Sequence, residues 1–202
     1  MDSANTNNGF FHNIINFPPI VNETINVNDF LCASDDLVSL IERLGKVFSP
    51  VKYDMQGNID KIRSCMIVDD ICLFEVMRNE VNNGKFNAVE GLMWLNRALL
   101  FFELIFHEIH KYLETSTLDI NMTKVYSVAY EGSVKKYHNW VTQKLFTLIC
   151  RMSPSLPQIM KYLEVDNDVD AFKSRLADYN MKLHVVRCKI EDFYLQNNFF
   201  KK

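Results

Sequence analysis

The sequence predicts an all-α fold, built as a single domain of about eight helices. Apolar residues recur three and four positions apart in several long stretches, which is the spacing of an amphipathic helix. Capping residues, glycines and prolines stand at the ends of these stretches. No stretch shows the alternation of polar and apolar residues, bounded by turn signals, that is typical of strands. With 48% hydrophobic residues among 202, the chain can bury a core, and we find no repeat or linker that divides it.

Residues 1–26 are predicted to form an irregular arm, because they are rich in asparagine and contain Pro18 and Pro19. Part of this arm is expected to lie against the domain, since it carries five large apolar residues: Phe10, Phe11, Ile14, Ile15 and Phe17. The domain itself is predicted to span residues 27–202. Its first helix is predicted to have Asn28 or Asp29 as its cap and to end at Gly45.

The next three helices are predicted from their boundary residues. Pro50 opens a helix that continues to about Met66, and a third helix spans 69–81 before an Asn-Asn-Gly turn. Asn87 is expected to cap a long helix over 88–113. Apolar residues lie on nearly all sides of this long helix, so we expect it at the centre of the fold.

The C-terminal half is predicted to contain three more helices. After a connection at 115–119, Asn121 begins a helix that continues to about Met152 and is closed by Pro154. A short helix near 157–163 and a long one over 169–197 complete the fold.

Composition and charge exclude several functional classes. The net charge of −3 and the pI near 6.0 argue against nucleic acid as a partner and against strong attraction to anionic membranes. The five cysteines are scattered, which is typical of free thiols in a reducing compartment. No signal peptide and no apolar run of bilayer length is visible. We therefore expect a cytoplasmic protein. Because the hydrolase, metalloprotease and phosphate-loop motifs are missing, we expect no enzyme, no cofactor and no metal site.

A row of three polar residues, Asp54, Asn58 and Lys61, is the first candidate binding motif. Their i, i+4, i+7 spacing places them within about 60° of arc on one helix face. The carboxylate accepts, the ammonium donates and the amide does both, so the row matches the paired hydroxyl groups of a sugar. Taken alone, the motif is better explained as a solvated, charged helix face.

Two further segments carry aromatic and titratable side chains. Trp94 offers a flat ring for stacking on a sugar, although tryptophan on a helix is usually a packing residue, and Arg97 either pairs with a carboxylate or lies at the surface. His138 can donate to an amide carbonyl, although a lone histidine is more often structural. Trp140, with Lys136 and Lys144, can form an interfacial foot on a membrane; the alternative is a tryptophan packed under a neighbouring helix.

Taken together, these segments resemble the glycolipid transfer protein family. They are FSPVKYDMQGNIDKI at 48–62, GLMWLNRAL at 91–99 and AYEGSVKKYHNWVTQKLF at 129–146, in that family's order, with Pro154 following. The resemblance spans residues 27 to 197 approximately. It implies a two-layer helical sandwich that encloses ceramide chains in an apolar tunnel and binds the headgroup at its surface, as a monomer that carries single glycosphingolipids between membranes without catalysis.

The resemblance also implies a role for individual residues. The headgroup site would comprise Asp54, Asn58, Lys61, Trp94 and His138, the tunnel lining would comprise Val51, Phe101, Val134, Phe146 and Ile159, and the membrane contact would comprise Trp140, Lys136 and Lys144. Asp54 would accept from the ceramide amide and from sugar hydroxyls, and His138 would donate to the acyl carbonyl.

Two departures from the family pattern bear on specificity. The interval between Lys61 and Trp94 is shorter than the resemblance leads us to expect, and residues 1–26 have no counterpart. The ceramide-1-phosphate branch is expected to carry a pair of arginines near the Trp94 position, and here only Arg97 is basic. A neutral sugar is therefore favoured over phosphate, with ceramide-1-phosphate transfer and a glycolipid-sensing module as alternatives.

Overall fold

A computed structural model describes residues 9–66, 72–115, 119–165 and 167–199. In these ranges the regular elements are helices, and two isolated β-bridges occur outside them. This confirms the all-α prediction. The α-helices are α1 Phe10–Asn13, α2 Val27–Arg43, α3 Ser49–Arg63, α4 Leu73–Asn82, α5 Asn87–Glu114, α6 Met122–Gly132, α7 Trp140–Arg151, α8 Leu156–Tyr162 and α9 Val169–Asn197. Short 3-10 helices span Lys46–Phe48 and Lys135–Tyr137.

The long helix α5 is the centre of the fold, as its apolar pattern predicted. It packs most extensively against α3 and α9, and also against α4 and α6. Its buried residues lie on several sides of the helix and include Leu92, Leu99, Phe102 and Ile109. Because α5 contacts so many neighbours, the side chains that it presents towards α3 determine the geometry of the polar row.

Several predicted helix boundaries agree with the structure, and two predicted caps are wrong. Helix α2 is capped by Asn26, whose side chain accepts from the Asp29 amide at 3.1 Å, rather than by Asn28 or Asp29. Asn87 is the first residue of α5 and does not cap it. The Glu80 carboxylate instead accepts from the two backbone amides at the start of α5, each at 2.9 Å. This cap comes from another helix, so the local sequence around α5 does not reveal it.

The predicted single helix over 121–152 is wrong, because the chain breaks it into α6 and α7. Asn121 does cap α6, accepting from the Lys124 amide at 3.1 Å, but the helix ends at Gly132, and Ser133 leaves helical geometry with φ −122° and ψ −89°. Asn139 then caps α7 by accepting from the Thr142 amide at 3.0 Å. His138 consequently lies in extended backbone between the helices rather than on a helix face.

The remaining boundaries follow the predicted signals. Gly45 and Gly84 adopt positive φ values of 108° and 71° after α2 and α4, where a glycine was expected to end each helix. Helix α9 begins and ends at the predicted residues. The predicted start of the third helix at 69 lies outside the described residues, as do 116–118 of the predicted connection.

The described part of the N-terminal arm packs against the helices. Phe11, Ile14 and Phe17 are buried in the hydrophobic core, whereas Ile15 is exposed. Phe11 lies on the four-residue helix α1, next to α9. The boundary between arm and domain at residue 26 stays a prediction, but four described side chains before it, those of Phe11, Ile14, Phe17 and Ile25, belong to the core.

Candidate functional site

The three sequence segments meet around one cavity. This cavity of about 440 Å³ lies between α3, α5 and the region from α6 to α7. All five predicted headgroup residues line it: Asp54, Asn58, Lys61, Trp94 and His138. Four of the five predicted tunnel residues line it too: Val51, Phe101, Val134 and Phe146. Its wall also contains residues that the sequence did not single out for this site: Pro50, Ala98, Thr142, Leu145 and Ile149.

Hydrogen bonds organise the polar row within α3. The Asn58 amide nitrogen donates to the Asp54 backbone carbonyl at 2.9 Å, and the Lys61 ammonium donates to the Asn58 side-chain oxygen at 3.2 Å. Asn58 is buried, whereas the Asp54 side chain reaches solvent at the mouth of the cavity. The row therefore presents one open acceptor and the unused donors of Lys61 towards the cavity.

A glycine brings α5 close to this row. A Cβ atom at Gly91 would lie 3.0 Å from the Asn58 carbonyl oxygen and 3.1 Å from the Lys61 Cβ. Any larger residue would force α3 and α5 apart at this point. Because Trp94 follows Gly91 by almost one helical turn, the close approach also sets the distance between the indole and the polar row.

Electrostatics at the mouth couple Asp54 to His138. Loss of surrounding water raises the pKa of the Asp54 carboxyl above its usual range, and the nearby His138 and Lys61 partly oppose this effect. Burial lowers the pKa of the His138 ring, and the Asp54 charge partly opposes that shift. The lowered pKa favours a neutral His138 imidazole near neutral pH.

Tyr130 fixes the orientation of the His138 ring. Its hydroxyl lies 2.9 Å from His138 Nδ1, and its ring stacks on Phe146 at a centroid distance of 3.8 Å. Burial raises the pKa of Tyr130 to about 12, so the phenol keeps its proton. When that proton is donated to Nδ1, the neutral imidazole carries its own proton on Nε2. The tyrosine was visible in the motif, but its role depends on the break after α6 that the sequence reading missed.

Trp94 is half-buried at the wall of the cavity, and its indole ring contacts Arg97 and Tyr137. The Arg97 guanidinium lies over the indole at 4.5 Å from the ring centroid and over the Tyr137 ring at 3.6 Å, and Tyr137 meets Trp94 edge-on at 5.8 Å. Arg97 was expected either to pair with a carboxylate or to lie free at the surface, and the structure shows cation–π stacking instead. Because Arg97 covers one face of the indole, a stacked ligand would have to use the other face.

The apolar wall continues from this cavity towards a second, enclosed one. The enclosed cavity has an internal volume of only about 20 Å³, and Ile159, the fifth predicted tunnel residue, lines it. One layer of rings separates the two spaces, because Phe101 of the first wall packs on Phe102 at 5.1 Å and near Tyr126 at 6.4 Å. Residues 94 to 109 of α5 lie along both cavities, and this part of the helix is roughly 22 Å long. For comparison, one leaflet of a bilayer's hydrocarbon core is roughly 15 Å thick.

Two of the three predicted membrane-contact residues, Trp140 and Lys144, line one cavity, and Lys136 lines another. Trp140, at the start of α7, is 71% exposed and lines a shallow cavity of about 240 Å³ with Lys144. Lys136 lines a different cavity, of about 400 Å³, that it shares with Arg97 and Tyr137. An exposed apolar face of α7 and its C-cap consists of four residues within about 60° of arc: Val141, Leu145, Leu148 and Met152. Trp140 lies roughly 80° around the helix from the edge of this face.

No helix in the described ranges is long and apolar enough to cross a membrane. Among the same residues, no group of three or more His, Cys, Asp or Glu side chains is placed to hold a metal ion.

Comparison with known protein families gives one family match. The sequence model of the family described as glycolipid transfer protein matches residues 25–165. A glycolipid transfer protein from Aureobasidium melanogenum is 34% identical over 140 residues, which cover 67% of each chain. Pleckstrin homology domain-containing family A member 8 from Danio rerio is 34% identical over 143 residues, which cover 66% of this chain and 25% of that protein. The chain therefore spans only about a quarter of that second relative.

Comparison with solved structures shows the same fold. The fungal glycolipid transfer protein HET-C2 has a TM-score of 0.76 and 24% identity, with 93% of each chain covered. Mouse ceramide-1-phosphate transfer protein in its apo form has a TM-score of 0.81 and 17% identity, covering 94% of this chain and 97% of that one. These likenesses confirm the expected fold class, an all-helical sandwich, whereas the tunnel inside it stays a prediction.

Proposed function

The chain belongs to the glycolipid transfer protein family, and from that premise we propose that it carries single glycosphingolipid molecules between membranes and catalyses no reaction. One observation supports this most directly. The polar row, Trp94 and His138 line a cavity whose remaining wall is apolar except for Thr142. Such a cavity suits a molecule with a sugar at one end and hydrocarbon at the other.

We assign the headgroup to the polar mouth. Asp54 accepts from the ceramide amide and from sugar hydroxyls, while Asn58 and Lys61 bind the first sugar. The open face of Trp94 stacks on the apolar face of that sugar. His138, with Nδ1 occupied by Tyr130, donates from Nε2 to the acyl carbonyl. The assignment requires that Asp54 is ionised and His138 neutral. The lowered pKa of His138 favours the neutral ring, and the charge of Lys61 opposes the upward shift in the pKa of Asp54.

We assign the ceramide chains to the apolar wall and to the enclosed cavity beyond it. Each methylene left in water costs about 0.8 kcal/mol, so a carrier must cover both chains. The enclosed cavity is nearly closed when empty, which keeps its apolar walls in contact with each other. Loading then requires that the rings of Phe101 and Tyr126 move apart.

We propose that α7 docks the protein on the membrane. Trp140 and the exposed apolar face of α7 insert among headgroups, and Lys144 lies at their edge. Leu145 belongs both to this face and to the cavity wall, so the docked protein would hold the cavity against the bilayer. The contact is transient, and the protein acts as a soluble, cytoplasmic monomer.

A phosphate headgroup is the main alternative ligand. Lys61 is the one cationic side chain in the wall of the headgroup cavity among the described residues, and Asp54 lies nearby. A doubly charged phosphate would meet the Asp54 carboxylate there without a guanidinium to compensate. This arrangement favours a neutral sugar.

The decisive experiment is a vesicle-to-vesicle transfer assay with glucosyl-, galactosyl-, lactosyl-, sulfated and phosphorylated ceramides. We expect rapid transfer of the neutral glycosylceramides and little transfer of ceramide-1-phosphate. Tight binding with negligible transfer would instead indicate a sensor. Hydrolysis of radiolabelled glycosylceramide by the pure protein would contradict the proposal.

A further inference from the structure

The wall of the enclosed cavity contains one residue from outside the main helices. Most of its lining residues lie on α2, α5, α6, α8 and α9 or at their C-caps, and each of these helices has at least seven residues. Phe11 is the exception, because it lies on the four-residue helix α1. It also precedes residue 25, where the match to the family begins. The arm thus supplies a wall residue, Phe11, that lies outside the family match, whereas most of the wall lies inside it.

The Phe11 ring forms part of the wall of this cavity. It is fully buried and meets Phe172 edge-on at 5.3 Å and Tyr179 at 5.8 Å. Its backbone amide donates to the Leu163 carbonyl at 3.2 Å, next to another lining residue, Ile159. The ring therefore occupies space that a longer hydrocarbon chain would need.

Polar contacts hold the arm on both sides of Phe11. On the C-terminal side, Arg175 donates to the Ile14 carbonyl at 2.6 Å and the Ile15 amide donates to Asp36 at 2.8 Å. The Phe10 amide donates to one oxygen of the Glu164 carboxylate at 3.1 Å, and the other oxygen pairs with Arg43 at 2.9 Å. The Arg43 guanidinium also lies 4.0 Å from the centre of the Phe10 ring. We call Glu164, Arg43 and their contacts with Phe10 the arm latch. Its ion pair is exposed to solvent, where such pairs are weak.

The backbone at Glu164 adopts a conformation that is strained for a residue other than glycine. Glu164 has a φ of 59° and follows the C-cap of α8, a position where glycine is strongly preferred because it adopts this conformation without strain. The Val165 amide donates to the Met160 carbonyl at 2.9 Å and closes the helix end. A glutamate in this place keeps the strain but provides the carboxylate that binds the arm.

We propose that Phe11 is the stop that limits the length of the hydrocarbon chain this protein accepts, and that the arm latch holds the stop in place. The inference rests on the proposed function, since it concerns the ceramide chain in the same cavity. Every methylene that the wall excludes stays in water and lowers uptake about fourfold. Uptake should therefore fall steeply beyond one acyl length, and moving the stop should shift that length.

The test is a transfer assay with one headgroup, glucosylceramide, and a series of acyl lengths, using the full chain. Phe11→Ala should move the steep fall to acyl chains about two or more methylenes longer, which raises relative uptake of the longer lipids roughly sixteenfold. Phe17→Ala is the matched control, because Phe17 is equally buried in the same arm but does not line the cavity. The control should keep the wild-type length profile.

Two more variants keep the test conclusive. Should Phe11→Ala fail to fold, Phe11→Leu removes less packing and should shift the profile in the same direction by a smaller amount. Glu164→Gly removes the latch and also relieves the backbone strain, so it should fold well, broaden the length profile and speed hydrogen exchange at the Phe10 amide. An unchanged length profile in folded Phe11 variants, or an equal shift in Phe17→Ala, would overturn the inference. A wild-type protein that transfers no glucosylceramide would instead refute the proposed function.

Discussion

Replacing Asp54 by asparagine should separate binding from stability. The substitution keeps the shape of the side chain and leaves the Asp54 backbone carbonyl free to accept from Asn58. It replaces charge-assisted hydrogen bonds to the ligand with neutral ones, which are weaker by about 1 kcal/mol each. For two bonds, one to the ceramide amide and one to a sugar hydroxyl, the loss is about 2 kcal/mol, or roughly thirtyfold in affinity.

The same substitution should not destabilise the empty protein. Folding raises the pKa of Asp54, so above the pKa of the unfolded chain the ionised carboxylate opposes folding. Asp54→Asn removes that charge, and we expect a melting temperature equal to or above that of the wild type at pH 7. The difference should vanish at about pH 3, where the carboxyl is protonated in both states.

Glycosylceramide transfer and calorimetry of the empty protein together check this prediction. Asp60→Asn is the control on the same helix, because Asp60 is exposed and contacts Gln56 and Arg63 rather than the cavity. It should leave transfer unchanged. The reasoning is refuted if Asp54→Asn transfers at the wild-type rate, or if its melting temperature falls by more than about 4 °C, a loss of at least about 1 kcal/mol in a chain of this size.

Three other variants probe the stacking ring, the docking surface and the cap of α5. Trp94→Phe should keep part of the transfer activity, and Trp94→Ala should lose most of it. In urea, Trp94→Ala should be destabilised by less than the roughly 3–5 kcal/mol that removal of a core tryptophan costs. Outright unfolding of Trp94→Ala would show that Trp94 is a packing residue. Trp140→Ala should change stability by less than about 0.5 kcal/mol yet reduce flotation with vesicles, and unchanged flotation would place the docking surface elsewhere. Glu80→Ala leaves the Ala88 and Val89 amides unpaired, so we expect a loss of about 2–4 kcal/mol in the free energy of unfolding; a loss below about 0.5 kcal/mol would mean that water replaces the carboxylate.

Local signals predicted much of this fold because they act within a few residues. Helix α9 could be placed from its apolar period and its ends, and Gly45 and Gly84 marked the ends of α2 and α4. The polar row could be predicted as well, since i, i+4, i+7 spacing fixes a helix face once the helix exists. Its meeting with Trp94 and His138 followed from the family resemblance rather than from spacing.

Two of the features that the sequence did not reveal depend on distant partners. The break after α6 lies in an apolar stretch that suits one long helix, and only the Ser133 backbone and the Asn139 cap divide it. Arg97 stacks on Tyr137, a residue forty positions away, in preference to a carboxylate. The cap of α5 comes from Glu80 on the preceding helix. The Arg97 stacking and the Glu80 cap depend on contacts between elements, which a window of neighbouring residues does not contain. The break after α6 has local signals, but the apolar pattern across it favoured one helix.

The hydrogen bonds within the empty polar row bear on how quickly a cargo can leave. Lys61 already donates to Asn58, and Asn58 already donates to the Asp54 carbonyl, before any sugar arrives. A sugar that binds Lys61 or Asn58 therefore exchanges existing bonds as well as adding new ones, and its departure leaves no buried amide or ammonium group without a partner. Such an exchange keeps the residence time of the headgroup short. A carrier that must release its lipid after each transfer step works faster when its binding groups can hydrogen-bond to one another after the lipid leaves.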